Sequence, residues 1–180
     1  MIQNIKNISL PFLLLNCLAG GFLLFFYGAI LANPNGYMFS QTGDGLKNYF
    51  TYAYHIKHSN SVTNFEGMNY PYGESFLYTD CHPILTYLVQ KIAMVFPTIS
   101  DYSIGILNFI ILTGFFFTFW VLYFLLKELK LKQWFALLFS ITIFLMIPQV
   151  DGIAGHYALS YALAFPLSWL LLLKHQSQTF

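Results

Sequence analysis

Long apolar runs decide what this chain can become. Residues 8–32, 103–126, 134–150 and 157–173 are dominated by Leu, Ile, Phe and Ala and carry almost no charge. A helix needs about 20 such residues to cross the hydrocarbon of a bilayer. A water-soluble domain has roughly a quarter of its residues charged, whereas here 8% are charged and 57% hydrophobic. So few charges cannot clothe a soluble fold of this size, while lipid solvates apolar surface directly. The sequence therefore predicts an all-α polytopic membrane protein. Its formal net charge of +1, with lysine as the sole strongly basic residue type, gives no electrostatic footprint for nucleic acid.

The first run, 8–32, is broken only by Ser9, Asn16, Cys17 and a few small or turn-forming residues, and it reads as a spanning helix. A cleaved signal peptide is the rival. Against it, the run exceeds the usual apolar core, only Lys6 precedes it, and Ile30, Leu31 and Ala32 make a poor cleavage site. The stretch LLLNC resembles a lipoprotein signal, but Asn16 stands where a small residue belongs and the run continues past Cys17. Cys17 and Cys81 define no disulfide framework and leave the redox compartment open.

Charge placement orients the spans, because short cytoplasmic loops are enriched in Lys and Arg. The densest basic cluster is Lys127, Lys130 and Lys132. A further apolar stretch, 83–96, is short for a span and carries Gln90 and Lys91 at its centre. If it crossed, a cytoplasmic N-terminus would force the lysine cluster outside. It is read instead as an amphipathic helix at the outer interface, with Lys91 wet. Four spans remain, with both ends inside. Lys6, the lysine cluster and Lys174 then face the cytoplasm, and 33–102 forms a large outer loop.

Within that loop, 43–58 reads GDGLKNYFTYAYHIKH. Leu46, Tyr49, Phe50, Ala53 and Ile56 recur at helical spacing, while Lys47, Thr51 and His55 line another face. This pattern predicts a surface helix starting near Asp44, with Asp44 at or next to the N-cap. Capping is the ordinary role of such an Asp, because its carboxylate accepts backbone N–H bonds and meets the positive end of the helix dipole. Eight tyrosines from Tyr37 to Tyr87 could stack on sugars, but anchoring at the membrane interface is the favoured role for such rings. Pro166 interrupts the last run and predicts a kink there.

The order of these features is similar to the N-terminal part of the GT-C superfamily of glycosyltransferases, which use polyprenyl-phosphate sugars. A first span is followed by an outer GDG and a Tyr-rich helix. Then come YPYGESFLYTDCHPIL at 70–85, an interfacial helix, and a span ending in KELKLK. The resemblance implies an acidic residue early in the first outer loop, matched by Asp44, and an HPP-like turn, matched by His82 and Pro83. Ile84 stands where a second proline is common, and NYPYGE is an addition to the simpler pattern. Members generally have more than four spans, so the resemblance implies a partial GT-C module in a prokaryotic cytoplasmic membrane. It also implies a polyprenyl-phosphate sugar donor; the acceptor is unknown.

A sugar hydroxyl is a poor nucleophile near neutral pH, and a positioned carboxylate can take its proton as it attacks the anomeric carbon. Asp44 is the candidate catalytic base. Inversion at the sugar carbon is expected, by analogy with hydrolases in which a carboxylate activates the incoming nucleophile. Asp80, His82, Asp151, Lys47 and His55 are candidates for holding donor phosphate or acceptor. Each has a plainer role: turn closure for Asp80, a turn or cap for Asp151, solvation for Lys47 and the histidines. His55 and His58, with His82 and His156, lack the defined ligand spacing of a zinc site. Carboxylates with a phosphate would suit a divalent cation such as magnesium or manganese, and the sequence assigns no metal. No Walker-type glycine loop is present. The alternative function class is a noncatalytic membrane assembly subunit or a transporter component, although the spans offer almost no charge for an ion pathway.

Overall fold

The computed structural model describes residues 9–59, 61–78, 82–157 and 160–178. The described chain is mostly helical. Helix α1 spans Leu10–Ala32, α2 Gly43–His58, α3 Pro83–Val95, α4 Ser103–Glu128, α5 Gln133–Met146, α6 Pro148–Asp151 and α7 Ala164–Gln178. Two short antiparallel strands, β1 (Asn64–Phe65) and β2 (Glu74–Ser75), form a hairpin between α2 and α3, with Phe65 opposite Glu74. The all-α class expected from the runs therefore holds, with this small hairpin added inside the loop.

Among the described residues, α1 and the helical stretch Pro97–Glu128 that contains α4 are long and apolar enough to cross a membrane. Helix α4 buries one side, with Leu107, Ile111, Phe115, Phe119 and Leu122 in the interior, whereas the apolar side chains of α1 are largely uncovered. Leu10, Leu13, Leu18, Leu24, Phe25 and Phe26 all stand exposed along α1, as lipid solvation allows and water does not.

The third and fourth runs differ from expectation. Helix α5 stops at Met146 because Pro148 drives Ile147 to an extended conformation (φ −72, ψ 119). The last helix begins at Ala164 rather than near 157, and Pro166 sits in its first turn, where a missing N–H costs nothing. The expected kink there is replaced by a helix start. These helices have 14 and 15 residues, rising about 21–23 Å at 1.5 Å per residue, against ~30 Å of hydrocarbon.

Contacts divide the chain into two compact units. Residues 1–28, 112–150 and 161–180 make the first, and 29–111 with 151–160 the second. The first unit is packed by rings. Phe119 and Phe144 stack with centroids 3.9 Å apart, and Phe22 and Phe115 meet Phe144 edge-on at 5.4 and 5.7 Å. Its polar atoms are paired internally: Trp120 Nε1–H donates to Asn16 Oδ1 at 2.9 Å, and Asn16 Nδ2–H donates to Phe12 O at 2.7 Å. Asn16, out of place in a lipoprotein signal, is thus a helix-to-helix tie of the kind spans use. Helix α4 ends in a Schellman-like turn, with Lys130 at positive φ (65°) and Leu131 N–H donating to Leu126 O.

The second unit is packed by polar groups. Helix α2 buries Asn48, Thr51 and His55 with Tyr49, Tyr52 and Ile56, and leaves Leu46 and Phe50 exposed. The expected apolar face is thereby split: Tyr49 and Ile56 turn inward, Leu46 and Phe50 outward. Helix α3 does the same. Thr86, Val89 and Gln90 are buried while Ile84, Leu88, Ile92 and Val95 are exposed, and Lys91 Nζ lies 5.3 Å from the centroid of the Tyr87 ring.

Candidate functional site

Asp44 is the second residue of α2, and Thr42 occupies the N-cap without a side-chain capping bond. The carboxylate therefore stands in the first turn, favourable to the helix dipole, rather than serving as the cap. Its side chain is 59% exposed, and Oδ1 lies 3.3 Å from Lys47 Nζ. Two sequence candidates are thus joined in one i,i+3 pair.

Gly45, the next residue along the helix, seats this end of α2. It is buried, and a Cβ there would lie 2.4 Å from Ser40 Cβ and 2.9 Å from Tyr157 Oη, so only glycine allows this approach. One turn on, Asn48 Nδ2–H donates to Gly155 O. Gly155 itself packs on the same end of the helix, its Cβ direction 3.6 Å from Asp44 Cβ. The segment after Asp151 and the start of α2, more than a hundred residues apart in sequence, are therefore brought together in one unit. Asp151 closes α6 with an exposed side chain.

A second layer lies beneath. Tyr49 Oη–H donates to Asn108 Oδ1, and Phe39 N–H donates to Tyr49 Oη at 3.2 Å. Asn108 Nδ2–H is shared between Pro34 O and Tyr37 O, both at 2.7 Å. Tyr157 packs edge-on to Tyr49 with centroids 4.9 Å apart. Burial raises the Tyr49 phenol beyond its ordinary range and that of Tyr157 to about 12, so both stay protonated and available as donors.

His55 falls elsewhere. Its ring stacks on Phe76 at 3.9 Å, with Phe65 beside it, and desolvation lowers its pKa, partly offset by the Ser61 backbone. It is a neutral interior ring and not part of the Asp44 surface. His82 is likewise buried, and its carbonyl accepts both the N–H and the hydroxyl of Thr86 at 2.8 Å. Its matched Pro83 opens α3 at N1. Gln90 Nε2–H donates to Ser59 O at 2.5 Å and ties α3 to the end of α2. Lys57 pairs with Asp101 at 2.7 Å. Asp80 and Cys81 lie outside the described residues, as does Lys6. Among the described residues no three of His, Cys, Asp and Glu converge to hold a metal ion.

Sequence reasoning missed Asn48, Asn108 and Gly155. Asn108 carried a usable signal, being an amide inside an otherwise apolar run, where an unpaired polar group is costly. Asn48 and Gly155 carried none, because their meeting depends on the tertiary fold.

A family model described as a domain of unknown function (DUF6311) matches residues 16–179 of this chain. No curated protein and no solved structure matches it.

Proposed function

This chain belongs to the DUF6311 family, and we propose that it is a membrane glycosyltransferase of GT-C-like build. In this reading it moves a sugar from a polyprenyl-phosphate donor to an acceptor on the outer face of a prokaryotic cytoplasmic membrane. Four spans carry it in this reading, the short α5 and α7 crossing where the bilayer thins to meet them, with both ends and the 127–132 lysines inside and 33–102 outside. The polar-in, apolar-out faces of α2 and α3 suit helices lying at the outer interface.

The observation that carries the reading is the seating of Asp44. An exposed carboxylate in a first helical turn, oriented by Lys47, is held against the 151–156 segment by Gly45 and the Asn48 to Gly155 bond. Asp44 takes the proton of the acceptor hydroxyl as that oxygen attacks the anomeric carbon, and the lipid phosphate leaves. Asp151, on the adjoining segment, is the second acidic group offered to acceptor or donor.

A second reading, a noncatalytic assembly subunit or transporter component, draws on the exposure of Asp44, since a base gains most where water is excluded. The test is transfer in membranes supplied with a polyprenyl-phosphate sugar and a competent acceptor. Asp44→Asn keeps side-chain size and removes basicity. It should insert normally and lose ~10²–10⁴ in rate, with Asp80→Asn and Asp151→Asn measured beside it. Three variants that insert and transfer at the parental rate would leave the noncatalytic reading.

A further inference from the structure

The first unit is charged with one sign. Of the chain's 7 Asp and Glu residues only Glu128 belongs to it, against Lys127, Lys130, Lys132 and Lys174. Three of these lysines sit in the turn from α4 to α5, and that turn has a fixed backbone. Leu129 N–H donates to Leu125 O, Lys130 N–H to Lys127 O and Leu131 N–H to Leu126 O, all within 3.0–3.1 Å, before Ala136 N–H picks up Lys132 O at 2.9 Å and α5 begins. Lys127 Nζ–H donates to Leu131 O at 3.2 Å, which holds one ammonium over the turn. Lys130 and Lys132 stand exposed. Among the described residues no ion pair joins Glu128 to any of the three.

The same turn is apolar as well as basic. Leu129, Trp134, Phe135 and Leu138 are all exposed on it or just after it. A cation would be repelled here, and a soluble anion or a nucleic acid would satisfy the lysines while leaving these four side chains in water. An anionic phospholipid meets both demands. Its phosphate lies among the ammonium groups, its chains lie against the leucines and Phe135, and the Trp134 ring sits at headgroup level, where indoles collect. The flanking helix α4 is long and apolar enough to bring the turn to a bilayer surface.

We propose that the α4–α5 turn is a docking site for the headgroup of an anionic phospholipid, with Lys130 and Lys132 as its charge-bearing contacts. It rests on the membrane placement of α4 and not on transfer at Asp44.

The full chain in phosphatidylcholine vesicles, doped with spin-labelled phosphatidylglycerol or spin-labelled phosphatidylcholine, provides the test through the fraction of label held motionally restricted by the protein. Phosphatidylglycerol should be preferred roughly tenfold at low salt, as two lysines near a surface allow, and the preference should shrink as salt is raised. The pair Lys130→Gln with Lys132→Gln should bring it close to parity, whereas the pair Lys130→Arg with Lys132→Arg and the remote Lys91→Gln should keep it. Hydrogen exchange over 126–136 checks that the turn is intact in each variant. Asp44→Asn should hold the lipid as the parent does, so failure of transfer and failure of docking are separate results. No preference in the parent, a parental preference in the glutamine pair, or an equal loss in Lys91→Gln would overturn the proposal. Displacement by inorganic phosphate beyond that by chloride at the same ionic strength would assign the turn to a soluble anion and overturn it too.

Discussion

The two units solve opposite packing problems with the same outward face. In the first, Phe22, Phe115, Phe119 and Phe144 fill the interior by ring geometry. In the second, Asn48, Thr51, His55, Thr86, Gln90 and Asn108 are buried and hydrogen-bonded, while Leu46, Phe50, Ile84 and Leu88 face out. Rings pack by shape and tolerate a substitute of similar volume. A buried amide network specifies its partners, and losing one member strands the others. The unit that carries Asp44 is the one whose interior fixes direction.

The largest break in this contrast should come from Asn108→Leu. It strands the Tyr49 hydroxyl and the carbonyls of Pro34 and Tyr37, each worth ~1–3 kcal/mol when left unpaired, or roughly 5 kcal/mol together. Hydrogen exchange should speed up in α2 and stay unchanged in α5. Phe144→Ala should do the reverse, loosening α5 by about 3 kcal/mol as a cavity opens beside Phe119. Gly45→Ala comes next. Its methyl meets Ser40 and Tyr157, costing about 2 kcal/mol by overpacking, and should lower thermal stability in detergent while Gly114→Ala, with open space around it, does not.

The smallest effect is a pH dependence confined to the second unit. Burial lowers the His55 pKa, so below its ordinary value of ~6.5 the unfolded form binds the proton that the folded form refuses. The stabilisation is complete above that value and is lost as pH falls through the folded one. Exchange in α2 should therefore rise on acidification in the parent and be flatter in His55→Gln, with α5 indifferent in both.

Much of the fold is legible in the residues themselves. The spacing within 43–58 gives a helix starting near Asp44, one residue from the observed start of α2 at Gly43, and 83–96 and 103–126 give α3 and α4 within two residues, because each run begins and ends on a chemical change. Where the runs 134–150 and 157–173 misled, hydropathy outvoted proline: Pro148 ends one helix and Pro166 opens the other. The periodicity in α2 was real, but the rule that the apolar face turns inward assumes water outside. The seating of Asp44 was legible only in part. Its place at a helix start is written in GDG, whereas the Asn48 to Gly155 bond joins residues that no local pattern connects.

Everything proposed for Asp44 depends on residues 33–102 and the segment around Asp151 lying outside the membrane and the 127–132 turn lying inside. Single cysteines at Glu66, Pro97, Lys130 and Asp151, in an otherwise cysteine-free chain, test this directly with a membrane-impermeant thiol reagent. Glu66, Pro97 and Asp151 should label in intact cells, and Lys130 only after permeabilisation. Protection at Pro97 together with labelling of Lys130 from outside would contradict the account.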